Sequence, residues 1–275
     1  MKTRTEKNLK AQSMIPETPS AVVTEAYSLK CDDETLDTLF EGRLNVFQGR
    51  RGYRFSLDAL LLAYFMTCRR GEKIVDLGTG NGVIALILAY LHSSLSITGV
   101  EIQPSMVDRA GRNVRMNGFQ ERVTISQADV RNIQETLSPE CFAAVVCNPP
   151  YRRATSGRIS PNVERKIARH EISAGLADFL RAAAYLLPVK GRIAMVYPAL
   201  RIVDLLQSMR SVNLEPKRLR MVHSFADTEA SLVLVEGVKD GRSGNEVLAP
   251  LVVYREGKQY TTEVEAILAG KPSLY

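Results

Sequence analysis

Apolar and polar positions along the chain follow two periods. Short segments rich in apolar and β-branched residues recur at 73–77, 96–100, 123–126, 142–147 and 192–197. Between them lie longer segments with a one-sided apolar face, at 83–91, 104–117, 176–187 and 200–209. The short runs predict strands covered on both faces, and the longer segments predict helices. Their alternation predicts a mainly parallel, doubly wound α/β sheet with helices on both faces. Late strands are expected at 218–222 and 231–236, then a small hairpin over 251–260 and a helix over 262–268. Upstream of the core, 43–48 and 53–55 alternate around Gly49-Arg50-Arg51-Gly52, which predicts a β-hairpin. Ser56 is a candidate N-cap for a helix over 57–65. Residues 1–28 lack apolar periodicity. The expected organisation is therefore a tail over 1–35, a hairpin and covering helix over 36–72, and the α/β domain over 73–275.

Chemistry enters where these strands end. The first core strand runs into Asp76-Leu77-Gly78-Thr79-Gly80-Asn81-Gly82, a glycine turn opening a helix. Glycines suit a place where the chain turns tightly or a ligand approaches the backbone. The dinucleotide fingerprint is G-x-G-x-x-G, whereas this loop is D-x-G-x-G-x-G with an acid just before it. That form resembles the cofactor loop of class I methyltransferases, which bind S-adenosylmethionine (SAM). SAM carries an ammonium and a sulfonium rather than a pyrophosphate, so an acid at Asp76 makes electrostatic sense. A tight turn without a ligand is the alternative. Ligands of such sheets sit beyond the carboxyl ends of the strands, and Asp76, Glu101, Asp129 and Asn148 all fall at or just past those ends. Glu101 lies about 20 residues beyond the glycine loop, where an acid accepts hydrogen bonds from ribose hydroxyls. Ile102 would pack on adenine, and Asp129 would accept from the adenine amino group. The competing readings are a solvated strand-end acid for Glu101 and a cap or turn aspartate for Asp129. Asp58 would approach the methionine end of SAM if its helix covers the pocket, or else is an exposed helix aspartate.

Asn148-Pro149-Pro150-Tyr151 follows the fourth core strand. A planar amino nitrogen is a poor nucleophile because its lone pair is delocalised. Acceptors on its two N–H bonds, the Asn148 side-chain oxygen and the Pro149 carbonyl, would favour the tetrahedral geometry that attack requires. The prolines stiffen the loop, and Tyr151 offers a face on which a flat substrate stacks. Without a cofactor loop upstream, the same four residues would read as a rigid turn.

Composition changes this picture little. The chain has 275 residues, 45% hydrophobic and 24% charged, as an ordinary globular protein does. Its net charge of +6 and pI near 9.2 lean toward a polyanionic partner. Four cysteines form no C-x-x-C pair, which with three scattered histidines suggests free thiols and no metal site. The N-terminus does not read as a secretory signal, and no apolar run approaches the ~20 residues of a membrane span; a cytoplasmic location is expected. Residues 152–170 hold Arg152, Arg153, Arg158, Arg165, Lys166 and Arg169 against Glu164. Beside a catalytic motif, such a loop would meet phosphates flanking a flipped base, although a solvated loop would look the same. Arg50 and Arg51 in the glycine-bounded turn are further candidate RNA contacts.

In this order, D-x-G-x-G-x-G, the strand-end acid and N-P-P-Y resemble the amino-group methyltransferases, which act on adenine N6, guanine N2 or glutamine N5. Within that group the chain is similar to the bacterial tRNA1(Val) adenine-N6 methyltransferase family. The similarity includes the short N-terminal hairpin, the Leu-Asp-Ala-Leu-Leu-Leu-Ala helix, Ala168-Arg169-His170-Glu171 and Val233-Leu234-Val235-Glu236-Gly237. The resemblance implies a seven-stranded Rossmann-like sheet, SAM as cofactor, tRNA as partner and methylation of the adenosine just 3′ of the anticodon. A release-factor glutamine-N5 or rRNA guanine-N2 methyltransferase, or a non-catalytic RNA-binding protein retaining a SAM pocket, are the alternatives.

Overall fold

In the computed structural model, residues 30–50, 54–150 and 174–271 are described. Two strands, β1 (Glu34–Leu39) and β2 (Leu44–Gly49), form an antiparallel hairpin and precede helix α1 (Leu57–Phe65). The core then alternates β3 (Lys73–Leu77), α2 (Val83–Leu91), β4 (Ser96–Glu101), α3 (Pro104–Met116), β5 (Val123–Gln127), a 3-10 turn (Val130–Glu135) and β6 (Ala144–Cys147). After α4 (Leu176–Leu186) come β7 (Arg192–Pro198), a 3-10 turn (Ala199–Arg201), α5 (Ile202–Arg210), β8 (Leu214–His223) and β9 (Ala230–Lys239). The chain closes with β10 (Glu246–Val247), β11 (Leu251–Val252) and α6 (Thr262–Leu268).

The main sheet has the order β8-β9-β7-β6-β3-β4-β5, parallel from β7 to β5, with β9 running antiparallel to both β7 and β8. This is the expected seven-stranded α/β sheet; two short strands, β10 and β11, extend it along the outer edge of β8. The inner strands β3, β6 and β7 are largely apolar because successive side chains enter two different cores. Ile74, Ala144, Val146, Ala194 and Val196 face the core that includes α1, α2 and α6. Val75, Val145, Cys147, Ile193 and Met195 face the one built with α4 and α5. Pro104 opens α3, and Gly118 (φ 69) closes it, with Phe119 N–H donating to the Val114 carbonyl across the last turn. No helix among the described residues is long and apolar enough to cross a membrane.

The hairpin lies one strand earlier than the sequence pattern suggests. Segment 44–49 does form a strand, but its partner is 34–39 rather than 53–55. The turn is 40–43, where Phe40, Glu41 and Gly42 all have positive φ (54, 58 and 86). Glu34 and Thr35 thus belong to the hairpin rather than to a preceding tail. Of the expected turn, Arg50 donates its backbone N–H to the Asp33 carbonyl, and Arg51 lies outside the described residues. Segment 251–260 is not a separate hairpin: β11 joins β8, and a single antiparallel bridge links Tyr254 to Tyr260. Ser56 precedes α1 without a side-chain cap.

Candidate active site

Strand register brings the candidate residues together. Leu77 lies opposite Val100 on one side and Cys147 on the other, so Gly78 leaves the sheet between Glu101 and Asn148. Glu101 lies opposite Gln127, two residues before Asp129. Four neighbouring strands therefore deliver Asn148, the glycine loop, Glu101 and Asp129 along one edge roughly 14 Å wide, at about 4.8 Å per strand.

The glycine loop is anchored at several points. Gly78 and Thr79 donate backbone N–H groups to the Val100 carbonyl at 2.8 and 2.9 Å. Gly80 N–H donates to Glu101 Oε2 at 3.0 Å. Gly80 has φ 58 and open space where a Cβ would lie, so its backbone presents an uncovered surface. Gly78 (φ 72) instead packs against Phe179 of α4, whose ring a Cβ would meet at 3.0 Å. Beneath the loop, Asp76 is fully buried. Its Oδ2 accepts from the Thr79 hydroxyl at 2.6 Å, while Oδ1 has no hydrogen-bond partner among the described residues. Burial pushes the Asp76 pKa up to about 7, prevailing over the Thr79 hydroxyl and the Ala85 N–H, which favour ionisation.

Glu101 is buried at the end of β4, where Oε1 accepts from the Gln103 N–H at 2.9 Å. Ile102 beside it is exposed. Asp129 caps the 3-10 turn by accepting from the Arg131 N–H at 2.9 Å and pairs with the Arg131 guanidinium at 2.5 Å, which holds its carboxyl below the usual range. The cap reading of Asp129 thus describes its contacts in this structure. Asp58 is half-buried in the first turn of α1. Past buried Cys147, Asn148 is half-buried, Pro149 buried and Pro150 exposed. Tyr151 and the basic candidates Arg152, Arg153, Arg158, Arg165, Lys166 and Arg169 lie outside the described residues. Arg50 is exposed and donates from Nε to the Asp32 carbonyl at 3.2 Å. No cluster of metal-ligating side chains occurs among the described residues.

Residues 55–206 match the family model of the methyltransferase small domain. The chain belongs to that family. Similar proteins include the tRNA1(Val) (adenine(37)-N6)-methyltransferase of Porphyromonas gingivalis, 30% identical over 167 residues, which are 60% of this chain and 65% of that protein. The enzyme of the same name from Parabacteroides distasonis is 27% identical over 194 residues, 70% of this chain and 80% of that protein. The match thus spans a little under two thirds of the Porphyromonas protein. Among solved structures, a predicted O-methyltransferase from Agrobacterium tumefaciens superposes with a TM-score of 0.66 at 22% identity, covering 78% of this chain and 97% of that one. TYW2 from P. horikoshii, solved in complex with MeSAdo, gives 0.53 at 13% identity over 77% of this chain and 73% of that one. These likenesses show the fold.

In this methyltransferase small domain, side chains that the motifs did not single out also shape the loop. Thr79 bonds Asp76, Phe179 packs under Gly78, and Asn113 of α3 donates to the Asn81 carbonyl at 2.9 Å. The spacing of Asn113 and Asn117, four residues apart on one helix face, was the available signal.

Proposed function

We propose that this chain transfers a methyl group from SAM to adenine N6 in tRNA, at the adenosine just 3′ of the anticodon. The observation that carries the reading is the register of β3 with β6, which sets the acceptor loop at Asn148 beside the glycine loop at Gly78. The tRNA substrate is inferred from the names of the similar proteins, which specify adenine 37.

The chain's own residues fit SAM. Among the described residues, Asp76 keeps one buried oxygen without a partner, Gly80 opens its backbone outward, and Glu101 uses only part of the acceptor capacity of its two oxygens. Ribose hydroxyls would approach Glu101, adenine would lie on Ile102, and Asp129 and Asp58 would flank the two ends. Bound there, SAM supplies a methyl group activated by its sulfonium. Across the edge, the Asn148 side-chain oxygen and the Pro149 carbonyl accept from the substrate amino group and aim its lone pair. Tyr151 provides the stacking face, and positioning supplies most of the rate. The basic residues from Arg152 to Arg169, with Arg50 and Arg51, would meet RNA phosphates.

Incubation with labelled SAM and unmodified total tRNA, followed by nucleoside analysis, tests the reading. N6-methyladenosine is expected; label in protein would replace it with glutamine-N5 transfer, and N2-methylguanosine would redirect it to guanine. The substitution Asn148→Ala should lower turnover at least ~100-fold, as loss of a transition-state contact does, while SAM affinity stays unchanged.

A further inference from the structure

Two asparagines of α3 hold the free edge of the hairpin. Asn113 Oδ1 accepts from the Phe47 N–H at 2.7 Å, and its Nδ2 donates to the Phe47 carbonyl at 3.2 Å. One turn later, Asn117 Oδ1 accepts from the Asn45 N–H at 2.9 Å, and its Nδ2 donates to the Asn45 carbonyl at 2.7 Å. Since β1 occupies the other edge of β2, these two side chains substitute for a third strand.

The two rungs differ in a single hydrogen. The second Nδ2 hydrogen of Asn117 stays in its own helix, on the Asn113 carbonyl at 2.8 Å. That of Asn113 goes to the Asn81 carbonyl at 2.9 Å, inside the glycine loop. Asn81 lies between Gly80 (φ 58) and Gly82 (φ 84), and glycines let a neighbouring peptide rotate at little steric cost. The Gly82 N–H of that peptide donates to the Thr79 carbonyl at 2.9 Å, and the Asn113 amide is its second anchor, reaching in from outside the loop. Asn113 is fully buried, and one turn earlier Ala110 lies only 3.3 Å from where a Cβ on Gly82 would sit, so α3 meets the loop at two successive turns.

We propose that Asn113 is a positioning residue for the cofactor, fixing the Asn81 peptide and so linking hairpin docking to SAM affinity. The proposal rests on the SAM-binding reading above. Asn117 is the matched control, because it makes the same rung without touching the loop.

The test compares wild type, Asn113→Ala and Asn117→Ala by thermal unfolding, by calorimetric SAM binding and by hydrogen exchange of residues 78–83 without ligand. Both variants should lower the unfolding midpoint. Only Asn113→Ala should weaken SAM binding, by about tenfold, and raise KM for SAM with kcat nearly unchanged. It alone should also speed exchange in the glycine loop. If Asn113→Ala does not fold, Asn113→Ser and Asn117→Ser replace the pair. Equal SAM affinity and equal loop exchange in the two variants would overturn the proposal. Failure of the wild type to bind SAM would instead sink the SAM reading, with loop exchange still reporting on the Asn113–Asn81 link.

Discussion

Two carboxylates in this protein are equally hidden and oppositely treated. Glu34, on the first strand of the hairpin, is 1% exposed, and Asp76, under the glycine loop, is 0% exposed. Burial alone would raise both pKa values. Glu34, however, accepts from Arg112 Nη1 and Nη2 at 2.8 and 2.6 Å, from Arg109 Nε at 2.6 Å and from the Cys31 N–H at 3.1 Å. These donors overcome the burial and bring its pKa down to about 2. Asp76 has one hydroxyl donor and, among the described residues, no partner for its other oxygen, and burial takes it up to about 7. A carboxylate that joins parts of a fold is saturated with donors. One left half-satisfied in the interior marks a place where structure has yielded to another requirement, here the proposed cationic cofactor.

The largest effect should come from emptying the saturated site. The substitution Glu34→Ala leaves two arginines facing each other, their side chains 11% and 9% exposed, with the exposed Asp108 still paired to Arg112. Removing one partner of a buried pair costs about 3–5 kcal/mol, and Asp108 should hold the loss near about 3 kcal/mol. Urea unfolding measures it. A loss below about 1 kcal/mol would mean that the asparagine rungs and apolar packing alone secure the hairpin. The acid limb offers a second check. Because the folded-state pKa is depressed, the stabilisation from Glu34 is complete above the ordinary value of 4.5 and disappears as pH falls through about 2. Glu34→Ala should lack that portion of acid destabilisation.

For Asp76 the sign is reversed. Its folded-state pKa is raised, so its contribution to stability is greatest below the ordinary value of 3.8 and is lost as pH rises through about 7. The substitution Asp76→Asn should therefore raise the unfolding midpoint by several degrees at pH 8 and change it little at pH 4. SAM affinity should fall about tenfold at the same time, the cost of losing a buried negative charge near a cation. A lower midpoint at pH 8 would erase the distinction between the two carboxylates.

What could be read from sequence follows the same division between local and distant causes. Strands β3, β6 and β7 are legible because nearly every residue in them is buried and each reads as a largely apolar run, whereas β5 (Val-Thr-Ile-Ser-Gln) is legible from its alternation. The helix α3 is legible from Pro104 and Gly118, and the site edge from Asp76 to Gly82 and from Asn148 to Pro150. Strand β1 is not, because Glu-Thr-Leu-Asp-Thr-Leu looks polar until Arg109 and Arg112, more than seventy residues away, neutralise Glu34. Its turn also places Phe40 and Glu41 at positive φ, where neither residue type signals a turn. Asn113 is hidden for a related reason. On a helix an asparagine reads as solvent-facing; the four-residue spacing to Asn117 marks a shared face, and the partner strand elsewhere in the chain makes that face interior.

The hairpin also contains an ion pair that tests whether burial, rather than charge pairing itself, sets the strength of Glu34. Arg54 meets Asp37 at 2.5 Å and donates to the Thr35 hydroxyl at 2.8 Å, yet the paired side chains are 40% and 29% exposed. Water already solvates both partners. Asp37 moreover keeps Gln48 Nε2 at 2.6 Å when the arginine is removed. The expected cost of Arg54→Ala is about 0.5 kcal/mol by urea unfolding, falling further in high salt. A loss comparable to that of Glu34→Ala would mean that the two pairs act as one cooperative network spanning the hairpin. A small loss leaves burial as the variable that separates them: the same chemical pair is a clamp where α3 excludes water and a surface contact where it does not.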